Sequence, residues 1–309
     1  MVSGFSLPDP PAAVRAKAEA AGALDWLRDL ADLVAELSAR WHLVVDGSFD
    51  DGTEACVLAV TRSDETRAVL KLLVPRGHDI AHHEITVLRL VDGHGCAALL
   101  DDDESLGAML LERLGPSLHD LGLPIARRHE VLVATAQRVW RPAAGCGLPT
   151  GADKGRWLIH HLTRLWNELD RPCRERTVAH AVACARRRIA AHDDERSVLV
   201  HGDIHEWNAF QTIDPADGFK LVDPDGLLAE AEYDLGIIMR EDPDDLLVGD
   251  PRKRSRWLAT CTDLDETAIW EWGVVERVST GLLCTQIGLQ PVGRQMLHAA
   301  DLVAELQND

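Results

Sequence analysis

Apolar positions keep a helical period early in the chain, switch to strand alternation, and then return to helix. Between Ala23 and Ala39, Trp26, Leu30, Leu33, Val34 and Leu37 recur at helical spacing, which predicts an amphipathic helix capping the domain behind it. Three strand-like runs follow, Trp41 to Val45, Ala55 to Thr61 and Arg67 to Val74, the last two joined by the polar turn Arg62-Ser63-Asp64-Glu65. A helix from about Asp79 to Asp92 and short strands near Ala97 to Leu100 and at Ala108 to Glu112 complete this β-rich part. Beyond Gly115 long helical periods dominate, over Arg128 to Trp140, Lys154 to Leu169 and Arg174 to His192. The second of these carries the clearest stripe: Trp157, Leu158, His161, Leu162, Leu165 and Leu169. Two short apolar strands, Val198 to Val200 and Phe219 to Val222, bracket a polar loop. Helices resume at Tyr233, with Ile269, Trp272, Val275, Val278 and Leu282 expected in the core. The pattern predicts an α+β protein with a helical extension over 1–40, a small antiparallel β lobe over 41–113 and a larger, mainly helical lobe over 114–309.

Two lobes also suit the length, since 309 residues exceed what one compact core usually holds. No apolar run approaches the roughly 20 residues of a membrane-spanning helix, and Met1 to Pro11 carries no export signal, so a cytoplasmic protein without membrane partners is expected. The seven cysteines are scattered singly and read as reduced core thiols. A formal charge of -19 repels nucleic acid and favours a cationic small-molecule partner, although acidic surfaces also serve solubility.

Two charged residues interrupt apolar surroundings. Lys71 lies in Ala68-Val-Leu-Lys-Leu-Leu-Val74, where both faces of the strand are apolar, so its ammonium is expected inside and in need of an anionic partner. Glu84, on the inward stripe of the next helix with Ala81, Ile85 and Leu88, is a candidate partner. Farther on, Val200-His-Gly-Asp-Ile-His-Glu-Trp-Asn208 follows a strand and places Asp203 five residues before Asn208. A carboxylate that takes a proton from an attacking hydroxyl, next to a neutral oxygen donor for Mg²⁺, is what phosphoryl transfer requires. Asp223, at the end of the next strand, supplies a second, charged donor.

These residues carry a family resemblance. His201-Gly-Asp-Ile-His-Glu-Trp-Asn208 with Leu221-Val-Asp-Pro224 resembles the catalytic and metal-binding loops of the aminoglycoside phosphotransferases, relatives of the protein kinases. Trp41 to Val60 with Gly52-Thr53, Ala68-Val-Leu-Lys71, Glu84 with Leu88-Arg-Leu90, Met109-Leu-Leu-Glu-Arg113 and Tyr233-Asp-Leu-Gly236 look like the streptomycin 6-kinase and hydroxyurea-resistance branch. The resemblance implies a two-lobed protein-kinase-like fold and an ATP-dependent transfer to a hydroxyl of a small molecule, streptomycin leading. It implies Asp203 as catalytic base, Asn208 and Asp223 as Mg²⁺ ligands, Lys71 on the ATP phosphates and Glu84 as its anchor. Glu112 to Leu114 become the adenine-binding linker and Asp234 a brace for the catalytic loop. Two features depart from the family pattern: Gly47-Ser-Phe-Asp-Asp-Gly52 lacks the glycine-rich phosphate loop of protein kinases, and Glu206-Trp207 replaces small residues in the catalytic loop.

Glu206, Asp225, Glu230 and Glu232, close to the motifs, are candidate carboxylates for a cationic or polyhydroxylated acceptor, with another sugar, amino sugar or aminocyclitol as the alternative to streptomycin. Two other chemistries compete. His192, His201, Asp203, His205 and Asp223 could be read as a metallohydrolase cluster, but this leaves Lys71, Glu84 and Asn208 unexplained. A module that only binds nucleotide conflicts with the full set of catalytic positions.

Overall fold

The computed structural model describes residues 9–50, 52–77 and 80–306, so Asp51 of the first turn and the predicted helix start at Asp79 lie outside the described residues. The chain divides into two compact units, 1–115 with 211–222, and 116–210 with 223–309. The fold is α+β.

The first unit opens with two helices, α1 (Ala12–Ala20) and α2 (Leu24–Trp41). A five-stranded antiparallel sheet follows, from β1 (Leu43–Phe49), β2 (Ala55–Arg62), β3 (Arg67–Leu73), β4 (Leu99–Asp103) and β5 (Ala108–Glu112), ordered β1-β2-β3-β5-β4. Helix α3 (Ile80–Val91) connects β3 to β4. Leu30, Val34 and Leu37 of α2 pack on Leu58, Val60, Leu70, Leu72 and Leu110 of the sheet, so the N-terminal extension is part of this unit's core. Trp41, expected to open the first strand, ends α2 instead, because His42 takes a left-handed conformation (φ 54°) that stops the helix before β1 begins. The Ala-rich α1 carries too few apolar positions to show a stripe and was not predicted; its Val14 and Ala18 bury against Val74.

The second unit holds α4 (Ile125–Val139), α5 (Gly151–Glu168) and α6 (Glu175–Ala191), then β6 (Val198–Val200). Strands β7 (Ala209–Gln211) and β8 (Phe219–Leu221) flank the passage through the first unit, and β9 (Leu227–Ala229) then pairs antiparallel with β6. Helices α7 (Glu232–Arg240), α8 (Pro243–Leu246), α9 (Arg252–Thr262), α10 (Glu266–Gln286) and α11 (Val292–Glu305) complete it. Helix α10 is the core element, with Ile269, Trp272, Val275, Val278 and Leu282 all buried. It meets α7 almost backbone to backbone: a Cβ on Gly236 would lie 2.3 Å from Cβ of Trp272, and one on Gly273 2.4 Å from Cβ of Met239. Only glycine at both positions allows this approach, which in turn fixes the C-terminal end of α7.

On α5 the expected stripe is buried at Leu158, Leu162 and Leu165, but Trp157 is half exposed and stacks on His161 at 4.5 Å. Five of the seven cysteines are buried, while Cys146 is half-buried and Cys261 exposed, against the expectation of core thiols throughout. Burial pushes the Cys56 and Cys184 thiols up to about 11 and, with help from Asp301, Cys173 up to about 12. Among the described residues no helix is long and apolar enough to cross a membrane.

Candidate active site

In the first unit, β3 carries Lys71 between Val57 of β2 and Met109 of β5. Its Nζ donates to Glu84 Oε1 on α3 at 2.5 Å, with both side chains 5 % exposed. The sheet therefore holds a buried cation whose counter-ion comes from the neighbouring helix. Such a pair is sensitive to removal of either member, because the charge that remains loses a counter-ion in a dry site.

The linker candidates occupy the end of β5 and the residues after it. The Glu112 carboxylate accepts from the backbone N–H of Ala98 at 2.6 Å and from Lys220, and its own N–H donates to Ala98 O at 2.9 Å. Those groups fasten the end of β5 within the unit, so the Glu112 N–H is not among the donors offered to a nucleotide. Leu114 is buried two residues on, and Arg113 places its guanidinium 4.4 Å from the ring of Phe49 at the end of β1.

In the second unit, β6 delivers the catalytic loop onto the N-terminal turn of α7. Asp234, fully buried there, accepts from Gly202 N at 2.9 Å through Oδ1, and from His201 N at 3.1 Å and Trp140 Nε1 at 2.8 Å through Oδ2. Desolvation raises its pKa, opposed by these donors and by His201. Gly202 (φ 90°) makes the turn that follows; a side chain there would strike Cβ of Asp225 at 2.9 Å. The loop is thus held at residues 201 and 202 before Asp203 is reached.

Asp203 is flanked by two nitrogen donors. Arg240 Nη2, from the last turn of α7, donates to Oδ1 at 2.8 Å, and His205 Nε2 lies 3.2 Å from Oδ2. Because the Trp207 N–H donates to His205 Nδ1 at 3.2 Å, the neutral ring carries its proton on Nε2 and donates to Asp203. Desolvation pushes the Asp203 carboxyl up, but His205 and Arg240 together outweigh it and hold the group well below the usual carboxylate range. His205 is shifted upwards, burial opposing the pull of Asp203. Arg240 also meets Glu241 at 3.0 Å and Glu276 at 3.5 Å, and Glu276 accepts from Tyr233 Oη at 2.6 Å.

Asn208 stands beside Asp203, its Nδ2 donating to Asp203 O at 3.1 Å and Oδ2 at 3.4 Å. With the amide nitrogen so committed, the amide oxygen is the donor atom offered to a cation. Asp223 follows β8 in a left-handed conformation (φ 58°), a strained state for a non-glycine residue that recurs at functional positions. One amide oxygen and one carboxylate are hard donors of the kind Mg²⁺ takes when phosphates and water complete its shell, so the residues fit that ion. The metallohydrolase cluster does not assemble: His192 turns to Asp194 at 3.0 Å, and the described residues contain no group of three His, Cys, Asp or Glu positioned to hold a metal.

The four candidate carboxylates are all engaged. Glu206 meets Arg128 and lies 3.2 Å from His119 Nδ1; Asp225 accepts from Lys154 at 2.9 Å. Glu230 accepts from Trp272 Nε1 at 2.6 Å and from Arg188 at 3.4 Å, and buried Glu232 caps the Asp265 N–H at 3.1 Å. The last two lock the N-terminal end of α7 to α10 and its approach, whereas Glu206 belongs to the loop 201–208 and Asp225 lies beside it. Sequence reasoning missed Arg240 and Lys154. Every residue of α7 is buried, so the arginine closing that helix has to find acids inside.

A family model described as "Aminoglycoside/hydroxyurea antibiotic resistance kinase" matches residues 40–287. Streptomycin 6-kinase of Streptomyces glaucescens is 31 % identical over 280 residues, spanning 86 % of this chain and 87 % of the relative. Hydroxyurea phosphotransferase of Kitasatospora aureofaciens is 31 % identical over 214 residues, 68 % of this chain and 61 % of that one. Among solved structures, a thermostable mutant of aminoglycoside phosphotransferase APH(4)-Ia in ternary complex with ADP and hygromycin B superposes with a TM-score of 0.59 at 15 % identity, covering 88 % of this chain and 97 % of that one.

Proposed function

The chain belongs to the aminoglycoside/hydroxyurea antibiotic resistance kinase family, and from that premise we propose that it transfers the γ-phosphoryl group of ATP to a hydroxyl of an aminoglycoside, streptomycin first among them. The observation that carries this reading is the Asp203 carboxylate, kept ionised by Arg240 and His205 and set beside Asn208 on a loop braced by Asp234. Asp203 accepts the proton of the attacking hydroxyl and holds that oxygen in line with the phosphorus. Lys71, oriented by Glu84, binds the phosphates, and Asn208 and Asp223 would hold the Mg²⁺ that neutralises charge on them.

A second reading, another sugar without positive charge as acceptor, is favoured by the pairing of Glu206 with Arg128 and of Asp225 with Lys154. A polycation has to displace those internal cations, whereas a neutral polyol does not. An ATP-consumption screen over aminoglycosides, sugars, amino alcohols and nucleosides, with mass spectrometry of the product, tests both. A phosphorylated aminoglycoside supports the first reading, a phosphorylated neutral sugar the second, and no phosphorylated product from any class overturns the proposal.

A further inference from the structure

Trp207 is the one large apolar side chain of the catalytic loop that is not buried. It is 53 % exposed, while Ile204 in the same loop is fully buried and Asp203, His205 and Asn208 are half-buried. A single exposed tryptophan has no meaning by itself; this one is held in place from two sides. Its ring stacks on the imidazole of His119 with 3.5 Å between centroids and 20° between planes. His119 is fixed in turn, its N–H donating to Glu206 O at 3.2 Å and its Nδ1 lying 3.2 Å from the Glu206 carboxylate that Arg128 holds. The Trp207 backbone N–H is tied to Nδ1 of His205, and the opposite nitrogen of the same ring meets Asp203. One imidazole therefore separates the backbone of an oriented, half-exposed indole from the carboxylate of the base.

An indole fixed in this way presents a flat apolar surface at low entropic cost, which suits the C–H face of a saturated ring. Trp207 stands four residues after Asp203 on the same loop and is linked to it through the His205 ring. We infer that Trp207, backed by His119, is a stacking platform for the second ring of a multi-ring, polyhydroxylated acceptor whose first ring presents its hydroxyl to Asp203. The inference rests on the phosphotransferase reading above and narrows its substrate class, because a small acceptor engages the base without reaching the indole.

The test uses the full chain with Mg·ATP, streptomycin and other multi-ring aminoglycosides as one class of probe, and streptidine, the isolated aminocyclitol, as a single-ring probe. Trp207→Ala is expected to raise KM for the multi-ring acceptor about tenfold while kcat and KM for ATP change little. Trp207→Phe should restore most of the loss, and His119→Ala should give a smaller rise in the same direction, because it removes the backing and not the platform. Streptidine kinetics should not respond to Trp207→Ala. Unchanged kcat/KM for the multi-ring acceptor in Trp207→Ala overturns the platform, as does an equal loss with both probe classes or a wild-type enzyme that turns over single-ring compounds only. In each of these cases the kinase assignment stands. If the wild type phosphorylates nothing in the screen, the proposed function fails first and the platform with it.

Discussion

Arg240 grips Asp203 through one nitrogen of its guanidinium, Nη2 to Oδ1 at 2.8 Å, while the other two nitrogens are tied to Glu241 and Glu276. The planar fork fixes the carboxylate's direction as well as its charge, which a lysine ammonium cannot do. Arg240→Lys is therefore expected to lower kcat about tenfold, and Arg240→Gln by about a hundredfold, with KM for ATP nearly constant. Steady-state kinetics with each substrate varied, on variants shown by thermal melting to be folded, measures this. A KM effect without a kcat effect would show that Arg240 does not position the base.

Asp203→Asn should bind nucleotide as the wild type does and turn over roughly 10²–10⁴-fold more slowly, the range for loss of a positioned base. Near-normal turnover in the variant would remove Asp203 from that role.

Lys71 and Glu84 meet at 2.5 Å inside the first unit and should behave as one device. Each alanine variant should impair use of ATP severely, and the double variant should be little worse than Lys71→Ala alone. Additive losses in the cycle would argue for separate functions.

The acceptor carboxylates should split into two groups. Asp225→Asn, next to the catalytic loop, is expected to raise KM for the acceptor, whereas Glu230→Gln, which loses part of its hold on Trp272 and Arg188, should lower the melting temperature instead. Kinetics and melting curves on the same preparations distinguish the two, and the reverse assignment would place the acceptor at the α7–α10 junction.

Helix α5 begins with a reciprocal cap, Thr150 Oγ1 accepting from Asp153 N at 3.1 Å and the Asp153 carboxylate accepting from Thr150 N at 3.0 Å. The Thr150 hydroxyl and backbone, with Arg156, lower the Asp153 carboxyl to about 2. A depressed carboxylate stabilises the fold above its unfolded pKa of about 3.9 and loses that contribution as pH falls towards the folded value. Asp153→Asn should therefore destabilise by about 0.5 kcal/mol near neutrality, reduced from the usual cap value by solvent screening, and the difference from wild type should vanish near pH 2. Denaturant melts across that range provide the measurement.

The catalytic loop was legible because its parts are close in sequence: Asp203, Asn208 and Asp223 reach the reader in order, and Lys71 is marked by the apolar strand around it. Arg240 and Lys154 were not, because they arrive from the far end of α7 and the first turns of α5, where a lone cation on a helix usually faces water. Trp157 was misplaced for the opposite reason. It keeps the period of the buried stripe but sits at its margin, where the stack on His161 and the Lys154 ammonium 5.1 Å from its ring replace a core. The end of α2 was shifted by His42, whose left-handed turn leaves no trace in hydrophobic spacing.

The return of 211–222 to the first unit has a consequence for how the protein is made. Gly115 N donates to Gln211 O at 2.7 Å, Leu221 exchanges hydrogen bonds with Gly95 and Ala97 at 2.8 and 2.9 Å, and Lys220 meets Glu112, so the unit's far edge is supplied by residues that follow about a hundred others. On the ribosome the N-terminal unit must wait, incomplete, while α4, α5 and α6 emerge, and it closes only after the catalytic loop has left the exit tunnel. Nascent chains arrested before residue 211 should therefore expose the Gly95–Ala97 edge to chaperones and proteases, and the first unit matures only once residues 201–208 already exist.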